Sequence, residues 1–432
     1  MAKKKQDLTP EERLVAALVP EEEWPYELPE GWKWVYGKGF LQPMETKLPT
    51  GKFFRYIDIE SIDNSTQRVR CPKKLLVEKA PSRASRKLHP GDTIFSMVRP
   101  YLKNIAYITE EWSDCIGSTG FYVCSPTALI DGHYLYWLMV SPYVVNGLNR
   151  YMKGDNSPSI RKGNIETFIY PIPPLAEQHR LVARIESLFA KLNAAREKVQ
   201  TVLDSREARK AALLHEAFTG KLTEKWRKEH GLSKNICRKV SLDDVCNSIF
   251  DGDHMPPPKS SSGVPFLVIA NVNKGKLNFS KTRFVPNNYY ESLTSTRKPQ
   301  KGDVLYTLVG TYGIPVLVDT EKAFCFQRHM ALLKPNKSYI LQRYLWYTLQ
   351  EKSFYQEATK IAKGTAQLTV PIKGLRQLMI PICSLPEQQE IVRILDRLLD
   401  KEQRAQQAAE ATLATIDRMK QSILARAFRG EL

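Results

Sequence analysis

Two long stretches of the chain place mostly apolar residues at alternating steps of four and three. In the first stretch these positions are Leu181, Ile185, Leu188, Leu192, Ala195, Val199, Val202, Arg206, Arg209 and Leu213. In the second they are Ile391, Leu395, Leu398, Glu402, Ala405, Ala409, Thr412, Ile416, Met419 and Ile423. This 3.5-residue period predicts two long helices, from residue 175 to about 215 and from 385 to 425, that pair as an antiparallel coiled coil. The alternative is that each helix packs only on its own globular unit.

Proline, capping and glycine signals mark the ends of these helices. Ser384 is a candidate N-cap, with Pro386 in the first turn and Glu387 at the capping-box position. Gly220 and Gly430 lie where the helices should end, because glycine adopts the left-handed backbone of a helix C terminus without steric cost.

Short β-rich runs precede each long helix. They lie at residues 56–62, 93–98 and 121–124 in the first half, and at 266–272, 304–309 and 330–333 in the second. Gly91-Asp92 and Gly302-Asp303 are turn signals before the middle runs. Short helices are predicted at 134–140 and 344–350. The expected fold class is α+β, with two α/β domains separated by a pair of long helices.

The two halves of the chain match at an offset of 210 residues. Y-P-I-P-P-L-A-E-Q, ending at Gln178, corresponds to I-P-I-C-S-L-P-E-Q, ending at Gln388. A-F-T-G-K-L, ending at Leu222, corresponds to A-F-R-G-E-L, ending at Leu432. Between such segments the halves differ almost completely. A fixed offset across several segments indicates an internal repeat, with pseudo-two-fold character, that keeps its scaffold and varies its loops.

The repeat and the helices divide the chain into four parts. We expect a first globular domain at 1–174, a central helical spacer at 175–222, a second globular domain at 223–384 and a C-terminal helical spacer at 385–432. A centred antiparallel pairing of the helices would place Arg206 near Asp400 and Glu402. That geometry predicts a salt bridge that helps set the helix register.

The net charge of +18 points to a polyanionic partner, with nucleic acid first and an anionic membrane surface second. A charged protein with no such partner is the remaining alternative. The positive charge is concentrated at matching places in the two halves, which favours DNA binding through phosphate contacts. The candidate DNA-binding residues are Arg68, Arg70, Lys73, Lys74, Arg83, Arg86, Lys87, Arg99, Tyr101, Lys103, Lys274, Lys276, Lys281, Arg283, Arg297, Lys298 and Arg328.

Amides and aromatics near these clusters are weaker candidates for contacts with base edges. They are Asn104, Asn287, Asn288, Tyr289, Tyr290 and Gln327. For any one of them, a packing or surface role is the stronger interpretation. The loops at 154–157 and 364–367 either touch DNA or only turn the chain.

Motifs for catalysis are missing from the sequence. The proline-rich strings lack the acid or amide and the aromatic residue of an adenine methyltransferase, and no phosphate-binding loop of a translocase occurs. Seven cysteines without a C-x-x-C pair argue against zinc and disulfides. Asp251, Asp253 and His254 form a small acid–histidine group in a predicted loop. We therefore expect a protein that recognises DNA without catalysis or a metal.

The chain resembles the specificity subunits of type I restriction–modification enzymes. The resemblance rests on the P-x-P-P-L-A-E-Q segment at 171–178, the A-F-T-G-K-L segment at 217–222 followed by Lys225-Trp226-Arg227, the Gly-Asp turns, and L-P-E-G-W at 28–32. The second copy departs from the pattern at Cys383-Ser384, where two prolines are usual.

The resemblance covers essentially the whole chain and implies a division of labour. Each globular domain would be a target-recognition domain that reads one half of a bipartite DNA site. The helices would set the spacer and dock two modification subunits, which methylate adenine with S-adenosylmethionine. Restriction subunits would use ATP and magnesium, so none of these cofactors is expected on this chain. The alternative is an architectural or regulatory DNA-binding protein without restriction partners.

The sequence offers no run of about 18 apolar residues and no signal core behind Met1. A cytoplasmic location is therefore the expectation.

Overall fold

The computed structural model describes residues 8–232, 237–252 and 257–432. These residues form two compact units. The first contains the described residues up to 199 and residues 410–432, and the second contains the described residues from 200 to 409. No helix among the described residues is long and apolar enough to cross a membrane.

The first unit combines short strands with four helices and the ends of both long helices. Its elements are α1 (Pro10–Val15), β1 (Lys33–Tyr36), β2 (Phe53–Ile57), β3 (Ile62–Asp63), β4 (Arg68–Val69), β5 (Lys73–Leu76), β6 (Ala84–Lys87), β7 (Thr93–Ser96), β8 (Ile105–Tyr107), β9 (Ile116–Ser118), β10 (Phe121–Cys124), α2 (Gly132–Val140), α3 (Pro142–Asn149), α4 (Lys162–Thr167), β11 (Ile169–Ile172) and the start of α5 (Leu175–Asp204). The strands form a four-stranded sheet β5-β2-β9-β6, a three-stranded sheet β10-β7-β8, and the pairs β1-β11 and β3-β4.

The second unit repeats much of this plan. Its elements are α6 (Arg206–Phe218), α7 (Glu224–Glu229), β12 (Arg238–Ser241), α8 (Leu242–Val245), β13 (Cys246–Asp251), β14 (Val264–Leu267), β15 (Arg283–Val285), α9 (Asn287–Ser292), β16 (Val304–Thr307), β17 (Pro315–Leu317), β18 (Cys325–Phe326), β19 (Met330–Pro335), α10 (Gln342–Thr348), α11 (Lys352–Ile361), α12 (Ile372–Gln377), β20 (Met379–Ile382) and most of α13 (Leu385–Ala427). The sheets are β13-β19-β16-β17, β15-β14-β18 and β12-β20.

The later predicted strands and the turns are present in both units, but the continuous strands predicted at 56–62 and 266–272 are wrong beyond their first two residues. There the chain leaves β2 and β14 and forms short 3-10 turns at Ile59–Ser61 and Ile269–Asn271. The runs predicted at 93–98 and 304–309 contain β7 and β16, and Phe121–Cys124 is β10. The two turn glycines, Gly91 and Gly302, have φ of +91° and +97°. The aspartate after each glycine, Asp92 or Asp303, accepts a backbone hydrogen bond from three residues earlier, at 2.7 and 2.8 Å. This side-chain bond closes the turn before the strand.

A buried glutamine anchors the start of each long helix in the same way. The Nε2 of Gln178 donates to the carbonyls of Leu129 and Pro173, and its Oε1 accepts from the backbone N–H of Asp131. Gln388 makes the equivalent bonds in the second unit, to Tyr339, Cys383 and Leu341. Both glutamines are fully buried. The matching E-Q segments of the sequence therefore mark one repeated anchoring contact.

The first predicted helix has one irregular turn, at Ser205, and one predicted detail of the second helix is wrong. Ser205 keeps a helical backbone, its hydroxyl donates to the carbonyl of Thr201 at 2.7 Å, and the helix continues as α6 to Phe218. Glu387 does not form a capping box. Its Oε1 accepts from Thr223 and Arg227, and its Oε2 is buried with no hydrogen-bond partner among the described residues.

The helices run side by side within each unit, as the apolar period predicts. In the first unit, Arg196 of α5 contacts Asp417 of α13 at 2.5 Å, and Lys420 donates to Asn193. From Asn193 to Arg196 the residue numbers on α5 increase, whereas those of their partners on α13 decrease from Lys420 to Asp417. The two helices are therefore antiparallel. Both long-range contacts confirm the predicted coiled-coil arrangement there.

The end of each long helix completes a core. Phe428 packs edge-on against Tyr134 in the first unit, with ring centroids 5.5 Å apart. Phe218 packs in the same way against Tyr344 in the second unit, at 5.4 Å. Phe428 belongs to the same buried cluster as Leu181 near the start of α5. Each core is thus assembled from residues that are far apart in the sequence.

Candidate DNA interface

The first basic cluster lies mainly on and beside the four-stranded sheet of the first unit. Arg68, Arg70, Lys74 and Arg83 are all exposed. The ammonium of Lys74 lies 5.0 Å from the ring centroid of Phe53, a distance typical of a cation–π contact. The sheet thus presents free positive charge, as contacts with phosphates require.

Two other candidates in this cluster already have carboxylate partners. Lys73 contacts Asp58 and Glu60, both at 2.6 Å, and these hydrogen bonds raise the pKa of Lys73. Lys87 contacts Glu45 at 2.6 Å, which lowers the pKa of that carboxyl. These lysines add less net positive charge to the surface than the sequence suggests. Arg86 is half-buried in β6, next to Lys87.

The loop that follows β7 has a strained backbone and an exposed tip. Arg99 and Lys103 have φ of +47° and +54°, in the left-handed region that β-carbons disfavour. Between them, Tyr101 and Leu102 are 46% and 39% exposed. The guanidinium of Arg99 donates to the carbonyl of Asn156 at 2.6 Å. Left-handed non-glycine residues cluster at binding sites, where surrounding contacts hold the strain.

The same loop geometry occurs in the second unit. The backbone N–H of Arg99 donates to the carbonyl of Pro158 at 2.8 Å, and that of Gly310 donates to the carbonyl of Leu368 at 3.0 Å. Both donors follow the buried strands β7 and β16, and both acceptors directly follow the predicted pre-helix loops at 154–157 and 364–367. In each unit, a backbone hydrogen bond therefore connects the loop after the buried strand to the loop that precedes the long helix.

The two units differ in which residue occupies the left-handed positions. Gly310 and Gly313 have φ of +68° and +87°, and they correspond to Arg99 and Lys103 of the first unit. Glycine adopts this backbone without strain. The first unit therefore has two basic side chains, those of Arg99 and Lys103, at positions where the second unit has glycines that adopt this backbone without strain.

Lys103 has a structural contact as well as a place in this loop. Its Nζ donates to Oε1 of Gln421 on α13 at 3.2 Å. Burial lowers the pKa of Lys103. Its amine is thus less accessible than that of an exposed lysine.

Two lysines that we did not select from the sequence lie beside these loops. The backbone of Lys153 forms an isolated β-bridge with that of Ser159, and the backbone of Lys363 forms one with that of Thr369, in small hairpins of the two units. Both lysines are exposed. They lie 210 residues apart, so a comparison of basic positions at the repeat offset would have found them.

The second basic cluster is exposed in the second unit. Lys274, Lys276, Lys281 and Arg283 all have exposed side chains, and Lys281 has a left-handed backbone with φ of +54°. They follow β14 and lead into β15. The cluster therefore lies next to β14, which pairs with β18 in parallel. In the first unit, β2 pairs with β9 in the corresponding way.

The remaining basic candidates have mixed surroundings. Lys298 donates to the carbonyl of Glu291 at 3.0 Å and lies 5.2 Å from the ring centroid of Tyr290. Arg297 is half-buried, whereas Arg328 is exposed.

The amide candidates differ in accessibility. Asn104 is buried and Gln327 is half-buried, while Asn287 and Asn288 are exposed at the start of α9. Tyr289 and Tyr290 are half-buried on the same helix.

The seam residues of the helices lie at or near the cores. Leu181, Ile185, Ile391, Leu395 and Ile416 are buried, and Leu188, Leu192 and Leu398 are half-buried. The predicted bond of Arg206 to Glu402 is wrong by one helical turn. Arg209 makes the contact with Glu402, at 2.8 Å, and Arg206 pairs with its neighbour Glu207.

One group of possible metal ligands occurs among the described residues. The sulfurs of Cys237 and Cys383 and a carboxylate oxygen of Glu387 lie within 4.8 Å of one another. Arg227 contacts this carboxylate at 2.5 Å, so the site already contains a balancing cation. The long separation of the two cysteines leaves no local signal of this cluster in the sequence. Asp253 and His254, from the acid–histidine group, lie outside the described residues.

Comparison with known families identifies the class of protein. The profile of the Type I restriction modification DNA specificity domain matches residues 37–202 and 237–411. The two matched segments cover most of the chain and follow its internal repeat. The chain belongs to this family and has two DNA specificity domains.

Particular relatives agree with this assignment. The chain is 25% identical over 386 residues to the type I restriction enzyme EcoKI specificity subunit of Escherichia coli K12, covering 85% of this chain and 79% of that protein. It is 26% identical to the EcoDI specificity subunit of Escherichia coli, covering 72% of each chain.

Solved structures show the same fold. The HsdS subunit from Thermoanaerobacter tengcongensis has a TM-score of 0.64 at 29% identity, with 95% of this chain and 100% of that chain covered. A chain from a study of complex assembly and conformational transition of the type I R-M system has a TM-score of 0.77, also at 29% identity, with 94% and 100% covered.

Proposed function

We propose that this protein reads a bipartite DNA target, with each unit contacting one half-site through its basic surface and its pair of joined loops. The observation that carries the proposal is the repeated loop contact, Arg99 to Pro158 in one unit and Gly310 to Leu368 in the other. It joins two loops at equivalent places, next to exposed basic residues, while the sequences around it differ. A common scaffold with different side chains suits the reading of two unlike half-sites.

The exposed basic residues would supply affinity and the loop tips would supply specificity. Arg68, Arg70 and Lys274 are placed to neutralise phosphates, which positions a protein on DNA without reading its sequence. Tyr101 is better placed to reach base edges, because it lies at the exposed tip of the loop after β7, and the exposed Arg99 lies beside this tip with its guanidinium bonded to Asn156. Arginine forms a bidentate contact with guanine in the major groove.

The chain would serve as the recognition component of a larger complex and would not itself catalyse a reaction. Its relatives are named as specificity subunits of restriction enzymes. By analogy, two modification subunits would bring S-adenosylmethionine, and restriction subunits would bring ATP and magnesium. The paired helices are the proposed docking surface for the modification subunits and the proposed spacer between half-sites.

Methylation mapping in cells tests this proposal. The gene is expressed with its modification subunit in a methylation-free host, and modified adenines are mapped across the genome. A bipartite motif should appear with the intact chain. Replacing residues 1–150 with the corresponding part of another specificity subunit should change one half of the motif only. A change in both halves, or methylation by the isolated chain, would contradict the proposal.

Single substitutions separate the two kinds of contact. Arg68→Ala should weaken DNA binding equally for all sequences and reduce the salt dependence by about one ion. Tyr101→Ala should instead alter preference within one half-site. Leu48→Ala, at an exposed position outside the basic cluster, is the control and should change neither property.

A further inference from the structure

The second unit contains a cavity of about 520 Å³ with both apolar and polar walls. It lies between the C-terminal end of α6, helix α11 and strands β12 and β20. Its lining includes Phe218, Lys239, Ser353, Phe354 and Leu378. None of the described residues 220–232 lines it. A cavity of this size is large enough for a small ligand or an aromatic side chain with its neighbours.

The repeat identifies the corresponding place in the first unit. Tyr143 lies 210 residues before Ser353, and Phe168 lies 210 residues before Leu378. The strand pairing gives the third equivalence. Trp34 pairs with Pro171 as Lys239 pairs with Pro381, and the two prolines are themselves 210 residues apart.

Aromatic rings fill this place in the first unit. Tyr26 packs against Trp34 and Tyr143, with centroids 4.9 and 6.1 Å apart, and Tyr143 packs against Phe168 at 5.4 Å. Tyr26 is also held by polar bonds. Its hydroxyl donates to the carbonyl of Phe428 at 2.9 Å, and its own carbonyl accepts from the indole of Trp34. Burial raises the pKa of Tyr26 to about 12.

The second unit has smaller or more flexible residues at three of these positions. Ser353, Leu378 and Lys239 stand where the first unit has Tyr143, Phe168 and Trp34. Among the described residues of the second unit, none packs into this place as Tyr26 does in the first unit. The cavity therefore corresponds to the volume that the aromatic cluster occupies in the first unit.

A nearby glycine supports the equivalence. A Cβ on Gly147 would lie only 2.4 Å from Cζ of Phe168, so the ring requires glycine there. The corresponding residue in the second unit is Glu357, which lines the cavity. The first unit thus has a glycine at this position and a phenylalanine ring packed against it, whereas the second unit has Glu357 and Leu378.

We propose that the cavity binds a tyrosine-type side chain presented by an extended peptide segment of a partner protein. The first unit displays such a tyrosine within the chain, because Tyr26 packs against Trp34 and Tyr143 and bonds to the carbonyl of Phe428. The carbonyl of Phe218 corresponds to the acceptor that Tyr26 uses. Glu351 and Glu357 also line the cavity, so the exposed Lys239 is the position where an acidic residue of the bound segment finds a positive charge.

A peptide with the chain's own sequence tests the proposal on the intact protein. The probe is a fluorescein-labelled peptide of residues 21–32, E-E-E-W-P-Y-E-L-P-E-G-W, and binding is followed by fluorescence anisotropy at low salt. Saturable binding is expected. A peptide carrying Tyr26→Ala should bind at least tenfold more weakly.

Variants of the protein locate the site. Ser353→Tyr restores the ring of the first unit and should weaken peptide binding at least tenfold, whereas Ser353→Ala leaves the cavity open and should bind like the wild type. Lys239→Glu should weaken binding of the acidic peptide without filling the cavity, which keeps the test valid if Ser353→Tyr unfolds. Circular dichroism checks the fold of each variant.

Three results would overturn the proposal. They are the absence of saturable binding, equal binding of the two peptides, and binding that is insensitive to both Ser353→Tyr and Lys239→Glu in folded protein. The last result would place the peptide elsewhere, for example at the seat that Tyr26 already occupies in the first unit.

Discussion

Arg209 of α6 and Glu402 of α13 form a two-point ion pair in the second unit, with Nε 3.1 Å from Oε1 and Nη2 2.8 Å from Oε2. The hydrogen bonds lower the pKa of Glu402 and raise that of Arg209. The nearby charge of Arg206 also lowers the pKa of Glu402, although Arg206 donates its own hydrogen bond to Glu207. The contact fixes which turns of the two helices face each other.

Charge reversal tests this register. Arg209→Glu should lower the Tm because it brings two carboxylates together, and adding Glu402→Arg should restore most of the loss. The same cycle with Arg206 in place of Arg209 is the control and should show a weaker coupling. Both effects should shrink at high salt, since the pair is partly exposed. Equal rescue by both arginines would contradict the assigned register.

Loss of the glutamine anchor should be costly. Gln388→Ala removes three hydrogen bonds and leaves buried backbone groups without partners, so we expect a loss of about 1–3 kcal/mol or more in the free energy of unfolding. Urea denaturation measures it. Gln389→Ala, at the exposed neighbouring position, should change stability by less than about 0.5 kcal/mol. Similar losses for both variants would mean that the anchor does not stabilise the unit.

The buried pair of Arg227 and Glu387 offers a comparison between the repeats. Glu387→Gln leaves Arg227 buried without a counter-charge and should cost about 3–5 kcal/mol. Glu177→Gln alters the corresponding residue of the first unit, which pairs with the exposed Arg180, and should cost less than about 1 kcal/mol. Unfolding in guanidinium chloride gives both values. A small cost at Glu387 would show that the pair is easily replaced.

The left-handed glycine of the second-unit loop should not tolerate a β-carbon. Gly310→Ala has no steric neighbours, so its expected cost of about 1–2 kcal/mol comes from the backbone alone. Gly163→Ala is the matched control. It also has no neighbours, but it lies in helix α4 with an ordinary backbone and should stabilise by about 0.5–1 kcal/mol. Effects of the same sign would refute this account of the loop.

The buried amine of Lys103 predicts a pH dependence. Burial lowers its pKa in the folded state, so the charged form opposes folding at neutral pH, and this opposition is relieved as the pH rises from the folded pKa toward the ordinary value for lysine. Lys103→Met should therefore be more stable than the wild type at pH 7, and the difference should narrow at pH 10. A difference that is constant with pH would rule out the desolvation effect.

Much of the scaffold could be predicted from the sequence because it depends on periodic and repeated residues. The seam of Leu181, Ile185, Ile391 and Leu395 predicted the long helices, and the Gly-Asp turns predicted the strands β7 and β16. The 210-residue offset predicted two units of the same plan. These features arise from local backbone preference and from burial of one face, which sequence spacing records directly.

Other features depend on contacts that spacing does not record. The partner of Glu402 was predicted one turn away, because a heptad pattern is nearly unchanged by a shift of one turn. Glu387 lies at the capping-box position in the local sequence, but its carboxylate instead accepts a hydrogen bond from the buried Arg227, which is 160 residues earlier. Among the DNA-binding candidates, only the fold distinguishes the paired Lys73 from the exposed Lys74.

The packing of Phe428 against Tyr134 has a consequence for synthesis of the chain on the ribosome. The second unit is one continuous segment, residues 200–409, whereas the core of the first unit includes residues near position 428. The second unit can therefore complete its core before residues 410–432 are synthesised. The first unit must wait for residues 410–432, so the unit that precedes the other in the sequence is expected to finish folding after it.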